Sequence, residues 1–368
     1  MLKQKTKLIR AFLSLLFCGL CSMTPGFAAE FADNDSANQI SKEIFDKSFH
    51  KACQLIKDNS MFPERLKNWS KWQHKFDGKI NSEAALENAL KQVLAELGDQ
   101  YTFFRNATET RQRLKRDHEE SIVSSRRLSN NVAYLAIRSF SSFHTSSELE
   151  SALQMQSDAE AYIIDLRANG GGYVEQALSS FELMCDQGRF VSMKGREDAK
   201  PYSEDLILEK DGLRRVLNDI TIVEERKQNL CGNKSMLVLV DGDTRSAAEM
   251  LAGALRDSRQ ARLIGSRTFG KGVIQCGWNL DPGCSLNVAM AKYFLPSGLD
   301  INGKGIAPDV YMNFQTEAKD ANFATARDFQ FSLKELEKYL PESYSLPKLE
   351  ISRTFACELR PGFVSEEN

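Results

Sequence analysis

The chain has 368 residues, 48 lysines and arginines against 50 aspartates and glutamates, a formal charge of −2 and 42% hydrophobic residues. That length can bury a large core, and it suits a main domain with a smaller companion. The charge balance leaves no basic footprint for nucleic acid, and beyond the N terminus no apolar run is long enough to span a bilayer.

Residues 1–28 read as a secretory signal peptide. Lys3, Lys5, Lys7 and Arg10 form a basic start, the apolar stretch Ala11–Met23 is too short to span, and small residues precede a cleavage site near Ala28. Cleavage there implies a periplasmic or secreted protein whose formal charge moves to −6, with no stable membrane insertion; a retained N-terminal anchor is the other reading. A polar leader follows from residue 30. Residues 30–112 form an N-terminal helical region, since Ile44, Phe45 and Phe49, and then Leu86, Leu90, Val93, Leu94 and Leu97, recur at helical spacing before Gly98 stops the run. Trp69 and Trp72 belong to its core. Residues 113–131 are polar and charged, as in a linker.

From Val132 the pattern turns to alternating strands and helices, which marks an α/β core over residues 132–315. Strands are predicted at Val132–Ile137, Ala161–Leu166 and Met236–Val240, and helices at Ser146–Gln156 and Val174–Met184. Residues 195–230 read as a charged surface insertion, with an amphipathic helix over Leu213–Ile222. Residues 316–368 carry a C-terminal helix from about Ala326 to Tyr339 and a tail.

Six cysteines remain beyond the leader. Cys276 and Cys284 flank a Pro-Gly turn and could bridge a hairpin, and Cys185 and Cys231 could pin the insertion; buried thiols are the alternative for both pairs. Neither a C-x-x-C pair nor a His/Cys cluster suggests a metal, and no cofactor is expected.

The chemistry is predicted to centre on Ser246. It stands on a strand–turn–helix at the start of AAEMLAGALRD, where the first helical N–H groups could hold an oxyanion. A serine there is ordinarily a helix cap, and Glu249 three residues on suits a capping box. The four histidines all lie upstream and none has a triad-like neighbourhood, so the base is sought in Lys271, on the apolar, glycine-flanked loop Phe269–Gly272. Asp257 is eleven residues from Ser246, about 16 Å along one helix, and so is given a supporting role rather than a triad one. The glycine turn Asn169–Gly172 lacks the spacing of a phosphate-binding loop and better serves to bring backbone N–H groups to a carbonyl.

Three ordered blocks carry a resemblance. Asp165-Leu166-Arg167-Ala168-Asn169-Gly170-Gly171-Gly172 comes first. Ser246-Ala247-Ala248-Glu249 with Phe269-Gly270-Lys271-Gly272 and Gln275 comes next, and Tyr293–Gly298 with Gly303–Val310 closes the series. Together they resemble the carboxyl-terminal processing (tail-specific) proteases, peptidase family S41. The resemblance implies a crotonase/ClpP-like β/α core with an N-terminal helical domain. It also implies an exported serine endopeptidase acting on protein or peptide substrates through an acyl-enzyme. It makes Ser246 the nucleophile, Lys271 the general base and Gln275 the residue that positions it, with Gly171 or Gly172 and the Ala247 N–H as oxyanion hole. It admits a homo-oligomer or an activating adaptor as further partner. Many relatives carry a PDZ domain before the first core strand; the roughly twenty residues available here are too few for one of about 80–100 residues. The alternative function is a non-catalytic binding or scaffold protein that keeps the fold. A Ser-His-Asp esterase would show a G-x-S-x-G elbow, which Arg245-Ser246-Ala247 does not supply.

Overall fold

The computed structural model describes residues 42–119, 122–128, 131–312 and 338. The expected signal peptide, polar leader and C-terminal helix and tail lie outside the described residues, residue 338 apart. The N-terminal helices follow their apolar spacing. Helix α1 (Lys42–Asn59) buries Phe45, Phe49, Ala52, Cys53 and Ile56 along one stripe. After the short α2 (Trp69–Gln73) comes α3 (Glu83–Leu97), whose start is capped by Ser82 accepting from the Ala85 N–H at 3.2 Å. It ends at Gly98, which is left-handed at φ 63°. Trp69 is 4% exposed and donates its indole N–H to the Cys53 carbonyl, so it is a core residue.

The residues from 103 to the first core strand are not a plain linker. They form strand β1 (Phe103–Arg105), helix α4 (Ala107–Glu119) and strand β2 (Val123–Arg127). The α/β core then opens with β3 (Val132–Ile137), α5 (Thr145–Met155), β4 (Ala161–Asp165) and α6 (Val174–Met184). Later come β9 (Ser235–Val240), α7 (Ala247–Arg259), β10 (Arg262–Gly265) and β13 (Val310–Tyr311). These strands build a six-stranded sheet ordered β13-β10-β9-β4-β3-β2, parallel except where β2 meets β3. Both faces of β3 and β4 are buried, which explains their unbroken apolar runs.

The charged residues after α6 depart from expectation. They form β5 (Gly188–Glu197), β6 (Lys200–Glu209), β7 (Gly212–Leu217) and β8 (Ile220–Glu224), an antiparallel meander. The helix expected over 213–222 is the β7–β8 hairpin, because Leu213, Arg215 and Leu217 point inward with period two. Strands β11 (Val273–Leu280) and β12 (Cys284–Phe294) complete this second sheet: β1 and β5 pair with one edge of β12 and β11 with the other. The N-terminal helices pack on the β11–β12 hairpin through Leu280, Leu286 and Val288. No bridge joins Cys276 to Cys284. The register sets Cys284 opposite Leu280 and Cys276 opposite Val288, so the two side chains are never cross-strand partners. Cys185 and Cys231 are buried, unbridged thiols; the ends of the meander are held instead by the Leu230 N–H on the Leu183 carbonyl at 2.8 Å.

Candidate active site

The first element of the site is the turn after β4. Asp165 is fully buried. Its carboxylate accepts from the Arg167 Nε and backbone N–H, from Arg138, and from the Tyr134 hydroxyl. Burial pushes its carboxyl up, but Arg167 and Arg138 outweigh that and hold it below the usual carboxylate value. With this anchor fixed, buried Asn169 shapes the glycines. Its Oδ1 accepts the Gly171 N–H at 2.9 Å, its Nδ2 donates to the Ile137 carbonyl, and its own carbonyl accepts the Arg245 N–H. Gly171 sits at φ 86°, and a Cβ there would lie 2.6 Å from the Arg245 carbonyl oxygen and 2.8 Å from the Ser246 Cβ. Only a glycine lets the two turns come this close.

The second element is the start of α7. Ser246 holds φ 57° and ψ −121°, a region that non-glycine residues seldom occupy. The Ala247 N–H lies beside it in the unpaired first turn of the helix. Of the two glycines expected at an oxyanion hole, Gly171 has its N–H engaged by Asn169, whereas Gly172 lines the cleft together with Ser246 and Lys271.

The third element is the loop between β10 and β11. It is wedged against residues 301–306: the Gly303 N–H bonds the Gly270 carbonyl at 2.8 Å, and the Thr268 N–H bonds the Ile306 carbonyl at 3.1 Å. Lys271 projects from this loop and donates its Nζ to Gln275 Oε1 at 2.6 Å. Gln275 in turn donates to the Tyr101 carbonyl, which ties the lysine to the corner after α3. Burial, then the charges of Arg245, Arg105 and Arg113, pull the Lys271 pKa below its ordinary value. No hydrogen bond joins Ser246 Oγ to Lys271 Nζ in this conformation, although both line one cleft.

Glu249 connects the second and third elements. It is fully buried and accepts four hydrogen bonds: Ser246 N–H (2.9 Å) and Lys271 N–H (2.9 Å) on Oε2, Gly270 N–H (2.7 Å) and Thr268 Oγ1 (2.6 Å) on Oε1. Burial raises its pKa, and these donors oppose the rise. The capping box expected from spacing accounts only for the Ser246 bond. An acidic residue in a helix otherwise buried on every side was the available sign that it did more. Asp257 lies at the far end of α7, where it accepts the Ser297 N–H at 3.1 Å and the Arg256 Nε at 2.8 Å; it supports that turn. Sequence reasoning also missed the wall of the cleft formed by Arg105 of β1, Arg113 and Asp117 of α4, and Tyr173. No group of His, Cys, Asp and Glu among the described residues could hold a metal.

Comparison with known proteins identifies the family of the core. The model of peptidase family S41 matches residues 131–312. The carboxy-terminal-processing protease of Bartonella bacilliformis is 30% identical over 64% of this chain and 52% of its own length. The carboxy-terminal processing protease of Bacillus subtilis is 34% identical over 52% of this chain and 37% of its own. The chain thus spans about half or less of these relatives. A photosystem II D1 C-terminal processing protease superposes with a TM-score of 0.54 at 18% identity, over 73% of this chain and 93% of that one. A lipoprotein from Streptococcus agalactiae superposes at 0.59 and 15% identity, over 82% and 97%. At such identities the likeness is one of fold.

Proposed function

Because the chain belongs to peptidase family S41 through residues 131–312, we propose that it hydrolyses peptide bonds of protein substrates with Ser246 and Lys271 as a catalytic dyad. The observation that carries this reading is the strained Ser246, presented at a helix start in the same cleft as a half-buried lysine whose ammonium form is disfavoured.

Neutral Lys271 keeps two N–H groups and a lone pair. One N–H stays on Gln275 Oε1, which leaves the lone pair to take the Ser246 proton. The alkoxide attacks the scissile carbonyl, and the N–H groups of Gly172 and Ala247 receive the developing oxyanion. The lysine then protonates the leaving amine and next accepts a proton from the water that releases the acyl group. Gln275 is the positioning residue, and Asp257 supports the fold behind the helix. The protein is an exported one in this account, cleaved near Ala28. Residues 42–97 form its helical region, residues 132–312 its catalytic core, and α4 and β2 stand where many relatives insert a PDZ domain.

The test is casein degradation by the purified protein, Ser246→Ala and Lys271→Ala. Both substitutions should reduce hydrolysis by at least about a thousandfold. Retention of most activity by Ser246→Ala would assign the chemistry elsewhere.

A further inference from the structure

The cleft around Ser246 encloses about 530 Å³ and is unevenly charged. Among the described residues Arg105, Arg113, Arg116 and Lys271 line it with one carboxylate, Asp117. That carboxylate is shared: it accepts from the Tyr173 hydroxyl at 2.8 Å and lies 3.5 Å from Arg113 Nε. Among the described residues Arg105 has no carboxylate within ion-pair distance, and the charges of Glu109 and Asp117 reach it from further off; it donates to Asn287 Oδ1 at 2.8 Å and stacks over Phe103 at 4.3 Å. Burial, then the charge of Arg113, brings its pKa down to about 10, which still leaves it cationic at neutral pH. Three guanidinium groups collected beside a half-buried lysine repel one another, with the charges of Glu109 and Asp117 opposing that repulsion at Arg105. An anion entering the cleft would relieve the repulsion, and a planar fork of donors matches a carboxylate better than a point charge does.

Resting on the peptidase reading above, we propose that Arg105, Arg113 and Arg116 form a carboxylate-binding subsite beside Ser246, so that the preferred peptide presents an anionic group to this wall. Two groups of a peptide share that chemistry: the side chain of a glutamate or aspartate, and the terminal carboxylate. Positive potential in a walled cleft also speeds capture of such a peptide and makes it sensitive to salt.

The experiment measures binding, by fluorescence anisotropy, of short labelled peptides to the full chain carrying Ser246→Ala. Three peptides are compared: one with an internal glutamate and an amidated end, one with glutamine and a free carboxylate, and one with glutamine and an amide. One charged peptide should bind about tenfold tighter than the neutral one, with the advantage shrinking as salt rises, and the winning peptide identifies the source of the carboxylate. The double variant Arg113→Gln/Arg116→Gln, with its melting temperature checked, should lose that advantage. Equal binding of all three peptides, or a preference that survives the double variant, overturns the subsite. The two readings fail separately. Cleavage by the wild-type protein without charge preference sinks the subsite alone. Charge-selective binding with no cleavage of any peptide leaves the subsite standing and sinks the peptidase.

Discussion

At the scale of single residues, the site is an arrangement of contacts that tolerate no extra atom. Gly171 touches Ser246 and the Arg245 carbonyl at distances that exclude a Cβ, and its positive φ adds strain to any other residue. Gly171→Ala should therefore displace Ser246 and lower kcat/KM by about a hundredfold, the cost of misplacing a reacting group by about 1 Å. Because the turn is anchored independently by Asp165, Arg167 and Asn169, the melting temperature should fall far less than activity does. Parallel loss of fold and activity would contradict a positioning role. Ser246, Lys271 and the glycine turn were all legible in the sequence, since each is a residue type in an unusual local setting. The choice between Gly171 and Gly172 was not. It depends on the Asn169 side chain turning back on the Gly171 N–H, a geometry that spacing does not encode.

Between elements, the decisive connection is Glu249. One carboxylate gathers the Ser246 N–H at the start of α7 and three donors of the lysine loop, so it ties the segment bearing Ser246 to the one bearing Lys271. In Glu249→Gln the new NH2 would face N–H donors in a buried space. We expect a loss of about 2–3 kcal/mol in stability, together with a fall in activity that Ser246 and Lys271 alone do not explain. Thermal denaturation and casein hydrolysis read the two effects, and an unchanged melting temperature would show that the carboxylate carries no such load. The sequence disclosed the local bond of Glu249 and hid the distant ones, as expected when partners lie about twenty residues away. The misread 213–222 segment has the same origin. Leu213 and Leu217 fit either period, and the two-residue turns at Asp198-Ala199 and Asn218-Asp219 were the better guide. What holds the meander down is also non-local: buried Arg215 pairs with Glu175 of α6 at 2.7 Å and with Glu204 of β6 at 3.1 Å.

For the whole molecule, helix α7 packs against β10 of the parallel sheet and β5 of the antiparallel one. The proposed catalytic groups from the β9–α7 turn, the loop before β11 and the turn after β4 thereby reach one cleft, with α4 and β1 as its far wall. The parallel core could be read in advance because buried strands are continuous apolar runs. Of the second sheet the β11–β12 hairpin could be read from its Pro-Gly turn, whereas the charged strands β5–β8 were taken for a surface insertion. The same placement fixes the pH behaviour. Burial and three arginines disfavour the Lys271 ammonium, so the folded protein binds that proton less tightly than the unfolded chain does. The active free base, and this site's share of stability, both increase as pH rises through the lowered pKa. The most direct measurement is therefore kcat/KM for peptide hydrolysis from about pH 6 to pH 10, with Lys271→Ala beside the wild type. The account predicts a wild-type rate that climbs with pH to a plateau below the ordinary lysine pKa, and a variant with neither the rate nor the climb. A wild-type profile that is flat or falls with pH, or a variant that keeps it, would contradict the dyad.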